Sequence, residues 1–294
     1  MITMTSLKGI PPFSKLVKNP LESDKYKSIL PDYTPLGYCI YNNLKKFTEE
    51  ICNHISIRQY VIMPDHIHFI LEITDTLDRP LWEYMDIFKN QISDEAISKR
   101  IMPTNYGALF EPGFNDQYLS LKRNYDKLFK YIRHNPYWLW KRWENPEYFR
   151  RIIEMMVGDY NCSLYGNPAL LEDPFIYPVV VHRADIQNGV FNRKLEAWKY
   201  SIYNGGVLIG FFISPEEKKI RDLAIQNGGK IIQLSVSGFD TREKPSERIM
   251  ELCEQGHYLR ITPKLPENLK RDRDDFRKIC LFMNAFAERI AEES

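Results

Sequence analysis

Met63-Pro64-Asp65-His66-Ile67-His68-Phe69-Ile70-Leu71-Glu72-Ile73 places two of the chain's six histidines one residue apart inside an apolar run. The run alternates as a strand does, and residues two apart on a strand face the same way. His66 and His68 are therefore expected side by side on one face, with Ile67, Phe69 and Leu71 on the other. Pro64 and Asp65 suit a tight turn, so Ile57–Ile62 before them reads as the partner strand of a hairpin. Two same-face imidazoles can share a metal ion, for which neutral imidazole is a common ligand. Two ligands do not make a site, and by itself the pair is more simply read as one hydrogen-bonded and one exposed strand histidine.

Outward from the hairpin, Leu44, Phe47 and Ile51 mark a helix over Tyr41–His54, and Leu81, Met85, Phe88, Ile92 and Ala96 mark another. The first 35 or so residues, rich in Pro and polar groups, read as irregular. Ala108–Leu121 reads as short strand-like pieces. Leu121, Tyr125, Leu128 and Ile132 mark a helix expected to end near Asn135, because Pro136 disfavours helical geometry at the residue before it. On that helix Tyr131 and Asn135 are four apart, hence on one face. Tyr131 offers a phenolic oxygen as a nucleophile and Asn135 an amide oxygen to a hard cation. With 18 tyrosines in the chain, a core or stacking role for Tyr131 stays open.

Net charge is only +1, but residues 121–151 hold nine Lys and Arg (Lys122, Arg123, Lys127, Lys130, Arg133, Lys141, Arg142, Arg150, Arg151) against Asp126, Glu144 and Glu147. Nine minus three leaves +6 there, interleaved with Tyr137, Trp138, Trp140, Trp143 and Tyr148. Cations neutralise phosphates and aromatic faces accept unstacked bases, which suits single-stranded nucleic acid. A solvated basic helix with its aromatics turned into a core is the simpler alternative. Five widely spaced cysteines without a CxxC pair argue for reduced thiols in a cytoplasmic protein. No run approaches the roughly 18 apolar residues of a membrane span, and MITMTSLKGIPPFSK lacks the apolar segment of a signal peptide.

After a boundary expected between Asp159 and Asp173, strand and helix alternate. Strands are expected at Phe175–Val181, Val207–Ile213, Ile231–Val236 and Tyr258–Ile261. Helices are expected at Arg193–Tyr203, from Ser214-Pro215-Glu216-Glu217 to Gln226, at Ser246–Glu254 and at Asp274–Ala291. Such alternation implies a mostly parallel sheet. The expected organisation is an α+β domain over 1–160, an antiparallel sheet with helices on it, and an α/β domain over 161–294. Gly205, Gly206, Ser214 and Gly228 sit where α/β folds place ligand loops, although helix caps and turns explain them more simply. A phosphate-bearing ligand or nucleic acid at the helix start near Ser214 is the binding reading.

Three blocks in order, QYVIMPDHIHFILEI (from Gln59), LFEPGFNDQYL (from Leu109) and KYIRHNP (from Lys130), resemble the single-tyrosine HUH transposases, especially the REP-associated type. That family's motifs run V-M-P-N-H-V-H, then F-x-x-G-F-x-D/H, then Y-I-x-x-N-P. The resemblance covers roughly Ile57–Pro136. It implies an HUH fold, metal ligands at His66, His68 and Asn135 for Mg²⁺ or Mn²⁺, and Tyr131 as the nucleophile. It implies a 5′-phosphotyrosine intermediate and single-stranded or hairpin DNA as substrate, held by Lys122, Arg123, Lys127, Lys130, Arg133, Lys141 and Arg142. Its members occur as monomers and homodimers.

The chain departs from the pattern in three places. Asp65 replaces the Asn before the first histidine, Tyr137-Trp138-Leu139-Trp140 replaces V-R-A-G-L-V, and the family's first strand has no obvious counterpart. His134 is expected as a DNA contact or a surface residue. In the second half, YGNPALL (from Tyr165), NGGVLIGFFISPEEKKIRDLA (from Asn204) and GGKIIQL (from Gly228) are similar to Rossmann-like domains of the DNA-processing protein A type. The alternatives are a DNA-binding protein that keeps the scaffold without the chemistry, and a small-molecule enzyme centred on the second domain.

Overall fold

A computed structural model of the chain describes residues 1–118, 122–237, 245–269 and 274–294, and for 122–124 the backbone alone. The chain divides into two compact units, Met1–Trp140 and Lys141–Ser294. The first is α+β on an antiparallel sheet; the second combines helices with a mostly parallel six-stranded sheet.

In the first unit the order is β1 (Ile2–Thr5), β2 (Ser14–Lys18), β3 (Ile29–Tyr33), α1 (Pro35–Glu50), β4 (Ile55–Ile62), β5 (His66–Ile73), α2 (Leu81–Ser98), β6 (Asn115–Asp116) and α3 (Lys122–Glu144). The sheet runs β4-β5-β1-β6, every neighbour antiparallel, and β2–β3 form a separate hairpin. The N-terminal region is therefore not irregular. Ile2 and Met4 are buried on one face of β1, and a strand of only four residues is too short for its alternation to stand out. Helix α1 also starts before the expected Tyr41. Thr34 Oγ1 accepts the Gly37 N–H at 3.2 Å and Pro35 opens the first turn, so the buried stripe extends back through Ile40 and Leu36.

β5 separates two apolar clusters. Ile67 and Phe69 pack with Ile40 and Phe47 of α1 and with Met85 and Phe88 of α2. On the opposite face, Ile70 packs with Val61, Met63 and Ile132 of α3. The His-Ile-His strand is thus covered on both sides, and the face bearing the histidines is the one under α3.

Helix α3 does not end at Asn135 but runs through Pro136 to Glu144. Tyr137 and Trp138, immediately after the proline, are 4% and 6% exposed. Burying two such rings stabilises by roughly 1.5–3 kcal/mol each, enough to offset the roughly 3 kcal/mol of an interior proline. Leu121, which marked the helix start, lies outside the described residues.

One buried cation ties the sheet edge down. Lys89 of α2 is 7% exposed, and its ammonium donates to the carbonyls of Glu111 and Gly113, just before β6. Burial lowers its pKa, against the pull of Asp86. Lys89→Met keeps the stem and leaves both carbonyls without their charged donor, an expected loss of about 1–3 kcal/mol in chemical denaturation.

The second unit contains β7 (Arg150–Val157), β8 (Tyr160–Gly166), β9 (Ile176–Pro178), α4 (Arg183–Gln187), α5 (Val190–Tyr203), β10 (Val207–Gly210), α6 (Pro215–Gln226), β11 (Lys230–Leu234), α7 (Glu247–Glu254), β12 (Tyr258–Pro263) and α8 (Phe276–Glu293). Its sheet runs β7-β8-β12-β11-β10-β9, parallel from β9 to β12 and antiparallel through β8 and β7. The division therefore falls at Trp140 and not after residue 160, because the β7–β8 hairpin is built into this second sheet through β12. β10 is buried along its whole length. Leu208 packs with Trp198 of α5 and Ile220 of α6, while Val207 and Ile209 pack with Met283 and Phe286 of α8. Apolar layers on both faces explain the uninterrupted Val-Leu-Ile run.

The parallel strands follow chain order without a reversal. Right-handed crossovers stepping one way put their helices on one face, and the order lacks the switch point at which doubly wound sheets open a ligand crevice. The five cysteines are free thiols, and burial pushes those of Cys39 and Cys162 up to about 11. No described helix is long and apolar enough to cross a membrane.

Candidate active site

β5 and α3 bring the chemistry together. His66 and His68 lie on the same face of β5 with ring centroids 4.6 Å apart. Their surroundings differ. His68 is 2% exposed, with Thr3 Oγ1 2.8 Å from its Nδ1 and Tyr131 Oη 3.3 Å from its Nε2. His66 is partly open, and its Nδ1 lies 2.6 Å from Asp65 Oδ1. The hydrogen bond from His66 holds the Asp65 carboxyl below the usual carboxylate range, against partial burial. The Asp that departs from the HUH pattern is thus the hydrogen-bond partner of the first histidine. A carboxylate on the far nitrogen of a ligating imidazole orients the ring and raises its basicity.

Tyr131 is half-buried in the layer formed by Val61, Met63, Ile70 and Ile132, and its ring meets His68 at a centroid distance of 5.4 Å. A turn later, Asn135 is 7% exposed, and its Nδ2 has no hydrogen-bond partner. An orphaned buried amide costs roughly 1–3 kcal/mol unless something satisfies it. A hydrogen-bond acceptor such as a phosphate oxygen beside Asn135 would remove that cost, while a cation would be met by the amide oxygen. Two imidazoles and one amide oxygen form a borderline donor set, better suited to Mn²⁺ than to Mg²⁺. Among the described residues, no group of three or more His, Cys, Asp and Glu side chains is arranged to hold a metal.

The basic residues separate into different roles. Lys127, Lys130 and Arg133 are exposed on α3, and no described carboxylate forms an ion pair with them. Three- and four-residue spacing places Lys127 and Lys130 on the helix flank beside Tyr131. The side chains of Lys122 and Arg123 lie outside the described residues. In the second unit Lys141 is ion-paired with Glu144 at 2.8 Å and with Glu254 at 3.5 Å. Its pKa is raised, the two carboxylates overcoming the desolvation that acts to lower it. Lys141 is thus a structural cation and not an open phosphate contact, whereas Arg142 is exposed.

The aromatics divide too. Tyr137 and Trp138 are core residues, and Trp143 is open to solvent. His134 is not simply a surface residue. Its ring stacks on Tyr26 at 3.6 Å and 6°, and Lys25 lies 4.9 Å from the centre of the Tyr26 ring.

In the second unit the helix start at Ser214 is already occupied from within. Ser214 Oγ accepts the Glu217 N–H at 3.2 Å. The Glu217 carboxylate accepts the N–H groups of Val181, Ile213 and Ser214 at 3.2, 3.0 and 3.1 Å. These donors, which a phosphate would need, are spent on a side chain that is 5% exposed. Gly205 and Gly228 adopt φ of 78° and 68° just after α5 and α6, as helix-ending turns require. The cap-and-turn reading of these residues therefore prevails over the ligand loop.

Thr3 was not legible as a site residue, because its strand was not. Its only signal is the Ile-Thr-Met-Thr alternation of β1. Glu217 was legible as a capping residue but not as the acceptor of three amides from two segments. No family model, no curated protein and no solved structure matches the chain.

Proposed function

We propose that the first unit is an HUH-type nuclease that cleaves and rejoins single-stranded or hairpin DNA through Tyr131, a DNA transposase-type activity. One observation carries the reading: a strand bearing His66 and His68 faces a helix bearing Tyr131 and Asn135, with Tyr131 Oη 3.3 Å from His68 Nε2. Two of the three blocks that resemble the single-tyrosine transposases supply these four residues, which supports the assignment.

In this reading the Tyr131 oxygen attacks the scissile phosphorus and the P–O3′ bond breaks. The phenol loses its proton, the departing 3′ oxygen gains one, and the phosphate stays on Tyr131 as a 5′-phosphotyrosine. Attack by another 3′-hydroxyl reverses the step and joins strands without an external energy source. His66, His68 and Asn135 would hold Mg²⁺ or Mn²⁺, which supplies charge neutralisation at the scissile phosphate. The single lone pair on His68 Nε2 would meet either the ion or the tyrosine hydroxyl, not both at once. Lys127, Lys130 and Arg133 neutralise backbone phosphates beside the nucleophile. The second unit is a Rossmann-like accessory domain in this reading.

The test is incubation with labelled hairpin DNA from the sequence flanking the gene, with and without Mn²⁺ or Mg²⁺. A metal-dependent adduct that resists SDS is the expected result. Binding without an adduct overturns the enzymatic reading in favour of a catalytically silent DNA-binding scaffold. Separately, Lys127→Ala combined with Lys130→Ala should lower the slope of log affinity against log salt by about 0.7 per residue on single strands. An unchanged slope would remove both lysines from the DNA path.

A further inference from the structure

We propose that Thr3 is a positioning residue for His68, fixing the imidazole as the Nδ1–H tautomer with its Nε2 lone pair directed at Tyr131. The inference rests on the nuclease reading for what Nε2 does, and on the strand register for what Thr3 does. β1 lies antiparallel to β5 with Thr3 directly opposite His68, and directly opposed residues share a face. The two side chains meet at 2.8 Å between Oγ1 and Nδ1. His68 is 2% exposed, so bulk water does not stand in for the hydroxyl if it is removed.

A neutral imidazole has one N–H and one lone pair, and the hydrogen bond at one nitrogen sets the job of the other. A threonine hydroxyl can accept or donate. On the other side stands Tyr131 Oη, at 3.3 Å from Nε2. A phenol is the stronger donor, and a nitrogen that takes its proton or holds a cation must present a lone pair. Both tasks require Nε2 without hydrogen, so Nδ1 carries it and donates to Thr3 Oγ1. The result is a row of Thr3, His68 and Tyr131 in which the imidazole is oriented from the side away from Tyr131, leaving its Nε2 lone pair presented. Thr3 meets His68 at Nδ1, the nitrogen away from Tyr131. It acts through His68 alone.

The test uses the full chain. Thr3→Val keeps the β-branched shape and removes only the hydroxyl, and Thr3→Ser restores it. The first readout, without metal, is the His68 tautomer from long-range ¹H–¹⁵N correlation on ¹⁵N-histidine-labelled protein. The second is Mn²⁺ affinity by electron paramagnetic resonance. The wild type is expected as the Nδ1–H tautomer, Thr3→Val as a mixture with Mn²⁺ bound about 10- to 100-fold more weakly, and Thr3→Ser as wild type in both. An Nε2–H tautomer in the wild type, or a tautomer unmoved by Thr3→Val, overturns the role of Thr3. A tautomer that moves in a protein whose wild type binds no Mn²⁺ upholds Thr3 and overturns the metal reading instead.

Discussion

Tyr131→Phe is expected to abolish the covalent protein–DNA adduct and to lower strand cleavage by on the order of 10⁴-fold or more, as removal of a nucleophile does. The variant deletes one oxygen and little else. The phenyl ring keeps its contacts with Val61, Met63, Ile70 and Ile132. The hydroxyl's 3.3 Å contact with His68 contributes no more than about 1 kcal/mol, so the melting temperature should barely move. DNA affinity should also hold, because Lys127, Lys130 and Arg133 are untouched. Loss of adduct with retained affinity and fold therefore isolates chemistry from binding. An adduct that persists in Tyr131→Phe would move the nucleophile elsewhere and dissolve the case for the His68–Tyr131 pair.

The largest expected stability effect lies in the second unit, at Glu217. Its carboxylate gathers the amides of Val181, Ile213 and Ser214, from the segment after β9 and the segment that opens α6. Glu217→Ala leaves those donors without their charged acceptor in a buried place. A loss of about 3–5 kcal/mol is expected, within the range for removing one partner of a buried charge-assisted network. Glu217→Gln keeps the length and one acceptor oxygen but loses the charge, and should fall between the two. Thermal unfolding gives the size of the loss. Hydrogen exchange at Val181, Ile213 and Ser214 gives its location, and protection there that survives Glu217→Ala would show that other groups hold the loops.

How far the sequence carried depends on the length of each signal. β5 was legible from His66 to Ile73 because an apolar run opening with the His-Ile-His alternation follows directly on a Pro-Asp turn. α2 was legible because its stripe repeats over four turns. β1 was not, since two buried residues in four make no period, and with it went Thr3. α3 was cut short at Pro136 because local geometry was weighed without the burial of Tyr137 and Trp138, which only tertiary packing supplies. The boundary expected after residue 160 cuts through the β7–β8 hairpin for a related reason. Its partner β12 lies far along the chain, and antiparallel pairing across that distance leaves no local pattern. His66, His68, Tyr131 and Asn135 were legible as types at informative spacings, while the buried amide of Asn135 and the two different imidazole environments needed coordinates.

The chain-order arrangement of β9, β10, β11 and β12 also bears on how the second unit is made. Each parallel strand docks on the one completed just before it, so this part of the sheet can grow stepwise as the polypeptide leaves the ribosome. The β7–β8 hairpin emerges earlier than all of them yet has no neighbour until β12 arrives. Until then the β8 edge is open, while Ile153 and Met156 of β7 face solvent even in the finished fold. An open apolar edge is a template for pairing with other chains. The join between the first strands of this unit and its last covers the β8 edge only once Tyr258–Pro263 has been made, and β7 remains an edge strand of the finished sheet.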